Sequence, residues 1–365
     1  MTATSPTRRT ALAAILAAAA LRPAFVLAQP APDHRAAALR IARDFIVPRT
    51  DAFARASSEQ AKAWDAFAAA PSQSGVAALD RAFGAAADAW AGIELVRFGP
   101  VAEELRYERM AHWPERRGAV ARALSGVLAG TEEITPERVR RASVAGQGLT
   151  ATERLLWGEA EGGAAQARRD LLDRSPAGAR RRALGRAVAQ LLARAASETA
   201  AAWTAPDGAL ARLERAGPDD AREAVTRFVT DEVAALDAIA DGKVGAVLGK
   251  GTEEARPGLA EGWRSGRSLR TIRLNIEAAI AFSRAALADD AEALRTVLPA
   301  LDTPLSVASD LEKSGRPLGA LAADGKTRPQ VILLRDALLS ARTVSGPALS
   351  EALAVTVGFN SADGD

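Results

Sequence analysis

The sequence predicts an all-α fold, with two helical, four-helix-bundle-like domains packed side by side, and three observations predict it. Nearly every segment is rich in Ala, Leu, Arg and Glu, the residues that give up least on entering a helix. Apolar residues recur with a period near 3.6: Leu184, Val188, Leu191, Leu192 and Ala195 form one stripe, and Leu269, Ile272, Ile276, Ala279 and Ile280 another. The sustained alternation of a half-buried strand is absent, with Val355, Val357 and Phe359 as one weak exception.

The chain opens with Arg8 and Arg9 ahead of a small-residue apolar run that ends in Val26-Leu27-Ala28, the arrangement of a signal-peptide cleavage site. Residues 1–28 are therefore expected to be a signal for export. Thr7-Arg8-Arg9-Thr10-Ala11-Leu12 fits the twin-arginine pattern loosely, beside the general secretory route. Arg22-Pro23 cuts the run short of the ~20 residues that span a bilayer, and the remaining chain has no transmembrane segment.

Cleavage there removes Arg8, Arg9 and Arg22, so the 47 basic residues fall to 44 against 45 acidic ones. The balance is then near neutral and gives no electrostatic case for nucleic acid or anionic membrane as partner. There is no cysteine, which excludes disulfides, thiolate metal sites, a Cys nucleophile and the lipid-bearing Cys of a lipoprotein. A mature chain of ~337 residues exceeds what one core usually holds, so two domains are expected. The clearest composition shift, TAPDGALARLERAGPDDA over 204–221, sets them at 29–205 and 206–365.

Helix starts are marked at Asp33, at Thr135-Pro136-Glu137, at Ser175-Pro176 and at Asp219. Breaks are marked at Pro71, Gly99-Pro100, Gly130, Gly158, Pro218, Gly242, Gly258, Gly315 and Gly325. This spacing predicts roughly ten helices with short connections, as in antiparallel bundles. Trp64, Trp90, Trp113 and Trp157 all fall in the first.

Residues 148–158, GLTATERLLWG, place Thr150 and Glu153 three apart on one helical face, with Leu155, Leu156 and Trp157 on the next turn. From the residues alone this is either a capping box, with Glu153 reaching back to its own helix end, or a polar site. The stretch is similar to the signature of the imelysin-like family: Gly, any residue, His, two residues, Glu, then an apolar run often ending Trp-Gly. Gly148 and Glu153 match; Thr150 stands where the family has His. AWAGIELVRFGPV (89–101), MAHWPERRG (110–118), GWRSGRSLRTIRLNIEA (262–278) and TVGFNSADGD (356–365) resemble further imelysin-like segments in the same order. The resemblance implies a periplasmic protein of two helical bundles, linked to iron-responsive uptake, with its site near the interface between them. Within the family the chain looks closest to the predicted periplasmic lipoproteins that accompany iron-regulated imelysins, although without cysteine it cannot carry their lipid. Some members of the family are classed as metallopeptidases.

The missing His bears on chemistry. A catalytic zinc usually takes about three protein ligands, and a threonine hydroxyl is a poor substitute for imidazole. The only histidines are His34, near the expected mature start, and His112, and no His-Glu-x-x-His helix exists. Oxygen donors for iron or calcium exist in Glu94, Glu104, Glu153, Glu159 and Asp363, of which Glu153 is the one metal candidate in the motif. The terminal Asn360, Asp363 and Asp365 lack the spacing of a calcium loop and read as a frayed end.

In 262–278, Arg264, Arg267, Ser268 and Asn275 suit either a clamp for an anion or carboxylate, or a salt bridge from one arginine to Glu153 in the other domain. Glu94, Arg97, Arg106 and Tyr107 cluster in sequence around Gly99-Pro100, where the arginines suit structural and functional roles equally. The chain is thus expected to be an imelysin-like binding or accessory protein of iron acquisition. Its expected pocket joins Thr150, Glu153 and Trp157 to Arg264, Arg267, Ser268 and Asn275, with Glu94, Arg97 and Arg106 as further candidates. Iron is the ligand the resemblance suggests, and other periplasmic iron-uptake components are the partners. No enzymatic activity is expected. A metallopeptidase of the imelysin type and a ligand-free interaction scaffold are the alternatives.

Overall fold

Side-chain caps start several helices where the sequence marks them. In the computed structural model, which describes residues 32–158 and 163–357, Asp33 accepts from the N–H of Ala36, Thr135 from Arg138 and Ser175 from Gly178. Asp219 is not a cap as expected: Gly217 holds that position, and Asp219 sits in the first turn, where its charge favours the helix dipole. The expected signal segment and the candidates Glu159 and Asp363 lie outside the described residues.

The longer helices are α1 (Val47–Ala69), α2 (Gln73–Ala91), α3 (Ala119–Ala129), α4 (Gly148–Trp157), α5 (Pro176–Thr204), α6 (Pro218–Asp237), α7 (Ser268–Ala286), α8 (Ala291–Lys313) and α9 (Arg328–Ala352). The described residues hold no strand, and Val355 and Val357 lie in irregular chain. Two π-helical segments interrupt the rods. Ile41–Ile46 runs straight into α1, and Ala238–Gly245 continues α6. Gly242, marked as a break by sequence, lies inside the second.

Packing follows the stripes. Helix α1 lies against α5 and α2, α7 against α8, α8 against α9, and α9 against α6. Leu184, Val188, Leu191, Leu192 and Ala195 are buried on α5, and Leu269, Ile272, Ile276, Ala279 and Ile280 on α7. Trp64 is fully buried where α1 meets α5, and Gly185 leaves it room, since a Cβ there would come within 2.2 Å of the indole. Burying such side chains is worth roughly 1.5–3 kcal/mol each.

From Asp33 onward the chain forms one compact unit, whose main apolar core draws on residues before and after the composition shift at 204–221. The halves meet directly: α2 packs on α7, and Phe45 stands edge-on to Phe282, ring centroids 5.7 Å apart. A smaller core gathers Val120, Leu124, Val139, Leu155, Leu184 and Val188 around α3, α4 and α5. That second core fixes α4, which carries Thr150 and Glu153. No helix of the described residues is long and apolar enough to cross a membrane.

Candidate functional site

Helix α4 begins without a side-chain cap. Its N-cap is Gln147, and the hydroxyl of Thr152 donates to the carbonyl of Gly148 at 2.9 Å. The capping-box reading does not describe Glu153, whose carboxylate turns away from its own helix end. Glu153 Oε1 accepts from the backbone N–H of Ser265 at 2.9 Å and from the Ser265 hydroxyl at 2.6 Å. Ser265 lies in the loop just before α7, so Glu153 ties α4 to the second half of the chain. Burial raises the Glu153 pKa above the ordinary carboxylate value; the two Ser265 hydrogen bonds and the nearby Arg264 charge work against that rise.

Between these segments lies a crevice of about 310 Å³. Phe83, Trp90, Trp113 and Trp263 supply aromatic walls, and Thr150, Glu153, Glu115, Glu261, Arg154, Arg264 and Arg267 supply polar groups. Apolar walls with a few converging polar groups are the usual make-up of a small-ligand site.

The two arginines of the sequence-predicted clamp behave differently. Arg267 does not reach Glu153: its guanidinium bonds Asp88 and the carbonyl of Gly84, 3.1 Å away, on α2. Asp88 also takes three hydrogen bonds from Arg270, so this pairing clasps α2 to α7. Arg264 lies over its neighbour Trp263, 4.3 Å from the ring centroid, with Glu115 Oε2 3.8 Å away. Glu115 is itself taken by Arg154 and by the N–H of Val120. Burial and the Arg154 charge lower the Arg264 pKa, against the raising influence of Glu153 and Glu115.

Behind the crevice sits a group that sequence reading missed. Lys243, on the π segment and 4% exposed, meets Glu94, lies 2.5 Å from Glu261, donates to Asn275 Oδ1 at 2.8 Å and faces the Trp113 ring at 5.5 Å. Asn275 passes its own N–H to the carbonyl of Ala91. Two carboxylates share one lysine. Burial lifts Glu94 to about 7 although Lys243 pulls it down, and Glu261 adds to the rise. Burial also pulls Lys243 down, but Glu261 and Glu94 outweigh it and hold the ammonium above its usual pKa. Asn275 and Glu94 therefore belong to this cluster rather than to the crevice lining.

The remaining candidates spread out. Trp157 packs on Phe83 at 5.0 Å, one layer behind the wall, and Ser268 is buried at the start of α7. Arg97 gives its backbone N–H to Asp231 and lays its guanidinium 5.1 Å from the Tyr107 ring centre. Arg106 holds the carbonyl of Pro100 and pairs with Glu103. Glu104 is exposed and lies 3.8 Å from Arg109. His112 lines a neighbouring cavity that shares Trp113 and Pro114 with the crevice, and His34 bonds the carbonyl of Leu353.

A catalytic metal would need donors gathered within one coordination sphere. Among the described residues no three His, Cys, Asp or Glu side chains are so placed. Glu153 is bound to Ser265, Glu115 to Arg154, and Glu261 to Lys243. These residues do not suit a catalytic zinc.

Fold and site together define an all-helical protein whose charged, aromatic-walled crevice is built from residues 83–154 on one side and 242–271 on the other. The chain belongs to the imelysin family, whose model (Imelysin, Peptidase_M75) it matches over residues 46–331. Its fold is similar to that of an imelysin-like protein from Psychrobacter arcticum 273-4, with TM-score 0.71 and 17% identity, over 89% of this chain and 97% of that one. It is also similar to an iron-regulated protein A precursor from Parabacteroides distasonis ATCC 8503, with TM-score 0.65 and 13% identity, over 88% and 96% of the two chains. No curated protein matches the chain.

Proposed function

We propose that this imelysin-family protein is an exported, non-catalytic binding or accessory protein of iron acquisition, and that its ligand sits in the crevice above Glu153. One observation carries the reading: the Glu153 carboxylate spans the crevice to Ser265 instead of closing its own helix. A residue spent on a cap would leave the crevice wall without its charge. The iron-regulated neighbour supports the iron context, and the amino-terminal pattern of Arg8-Arg9 and Val26-Leu27-Ala28 supports export. Thr150 stands on the lining where the resembled motif carries His, and among the described residues the ion-paired state of Glu115 and Glu261 speaks against their serving as zinc ligands.

The test is calorimetric titration of the protein with ferric ion, ferric citrate and a ferric trihydroxamate, beside incubation with peptide substrates with and without a chelator. Binding of an iron species that Glu153→Ala abolishes while the folded protein persists at a lowered melting temperature, and that Ser265→Ala, which keeps the carboxylate, leaves in place, is the expected result. Chelator-sensitive peptide cleavage would establish the metallopeptidase instead. Silence in every titration would leave an interaction scaffold.

A further inference from the structure

Arg264 is a half-buried cation on the crevice lining whose hydrogen-bonding capacity goes unused. Its side chain is 8% exposed, its Nε is shielded from solvent without a partner, and among the described residues its guanidinium makes no hydrogen bond. Glu115, at 3.8 Å, is beyond hydrogen-bond distance and already committed to Arg154. The other cations at this site are engaged: Arg267 with Asp88, and Lys243 with Glu94 and Glu261. Leaving a largely enclosed guanidinium without a hydrogen bond is costly, and the group that best answers its planar fork is an oxyanion accepting two parallel N–H bonds.

We propose that the crevice takes a monocarboxylate with an apolar, ring-bearing body, its carboxylate paired with Arg264 and its body against Trp113, Trp90 and Phe83. The inference deepens the binding reading above and rests on the crevice being a ligand site. Charge limits the ligand to one negative group. Glu115 and Glu261 already hold Arg154 and Lys243, so a phosphate dianion or a polycarboxylate would bring a second negative charge to a lining with one available cation and the Glu153 carboxyl beside it. The aromatic walls favour a flat apolar body, and about 310 Å³ holds one of one or two rings. Thr150, also on the lining, adds a hydroxyl that donates to the same carboxylate or to a substituent beside it. The carboxylate belongs either to a free organic acid or to the pendant arm of an iron chelate, since Arg264 recognises the same group in both.

The experiment titrates 3-phenylpropionate and indole-3-acetate against their primary amides, following intrinsic fluorescence, which Trp90, Trp113 and Trp263 make sensitive to the crevice. Each titration is run with and without ferric ion, which separates a free acid from a chelate arm. The acids are expected to bind at least tenfold tighter than the amides, and Arg264→Gln to bring them to the amide level at unchanged melting temperature. Equal affinity of acid and amide, acid binding unaltered in Arg264→Gln, or no saturable response to any probe would each overturn the proposal. Acid against amide on the unmodified protein decides the matter even if the variant folds poorly. Iron chelates that bind regardless of Arg264 would sink the carboxylate assignment and spare the binding reading. Acids that bind through Arg264, with no response to any iron species, would do the reverse.

Discussion

Glu153 and Ser265, 112 residues apart, are joined by two hydrogen bonds to one carboxylate oxygen, one from the Ser265 backbone N–H and one from its hydroxyl. The pair holds α4 against the loop that leads into α7 and so sets the width of the crevice. Ser265→Ala removes one donor and keeps the other. Because burial already raises the Glu153 pKa, losing the hydroxyl raises it further. A carboxyl raised in the folded state costs stability as pH climbs from its unfolded value through its folded one. The variant is therefore expected to lose about 1–2 kcal/mol at pH 8 and less at pH 5, as read from urea midpoints. An equal loss at both values would show that the hydroxyl does not act on the ionised carboxylate.

Gly148, the first residue of the matched motif, has φ +73°, and a Cβ built on it would come within 2.3 Å of the Met110 carbonyl oxygen and 2.4 Å of the Arg109 one. Both obstacles are backbone, which cannot swing aside as a flexible side chain can. Gly148→Ala combines left-handed strain of about 1–2 kcal/mol with overpacking of about 1–3 kcal/mol. A loss near 3 kcal/mol is expected, visible in denaturant unfolding, and a loss under about 1 kcal/mol would mean that the loop before α4 relaxes freely.

Lys243 is the only ammonium beside the buried Glu94 and Glu261 among the described residues. Lys243→Met leaves the buried Glu94 beside the half-buried Glu261 with no ammonium between them, a change expected to cost about 3–5 kcal/mol. The cost is expected to be larger at pH 8 than at pH 5.5. Glu94, with a folded pKa near 7, already costs stability as pH rises from about 4.5, and without the lysine it must ionise with no ammonium beside it. Adding Glu94→Gln should recover part of the loss. Failure of the second change to recover any stability would mean that the lysine acts by packing rather than charge.

The helical class and much of its detail were legible in the sequence because they depend on local spacing. The stripes on α5 and α7 are buried as their period predicts, and Asp33, Thr135 and Ser175 cap because their side chains reach only a few residues along the chain. The site was legible in kind but not in pairing. Glu153, Thr150 and Arg264 meet at the crevice, but Arg267 goes to Asp88, a residue 179 positions away that no local pattern connects to it. Lys243 escaped because Asp241-Gly242-Lys243 has the composition of a solvated turn. The π geometry that carries its side chain inward toward Glu94, 149 positions away, leaves no periodic mark. Pro299 and Pro304 inside α8, and Pro347 inside α9, likewise sit where propensity predicts a break and tertiary packing overrides it.

Glu232 on α6 poses the opposite problem to Lys243: a carboxyl 1% exposed, neither of whose oxygens has a hydrogen-bond partner. Burial pushes its pKa up to about 8, and the adjacent Asp231 adds to the rise. The folded chain thus holds a proton there that the unfolded chain releases near 4.5. Between those two values the folded state binds more protons, so stability falls as pH rises, and the full penalty is reached above about 8. Glu232→Leu removes the ionisable group and fills similar space with apolar atoms. At pH 9 it is expected to stabilise the protein by up to about 5 kcal/mol more than at low pH, at ~1.4 kcal/mol per pKa unit. At pH 5, where the native carboxyl is already neutral, the gain shrinks to what is recovered from an unpaired polar group, about 1–3 kcal/mol. Urea unfolding of both proteins at pH 5, 7 and 9 measures the difference, and a gain that does not grow with pH would show that Glu232 is not held protonated in the folded chain.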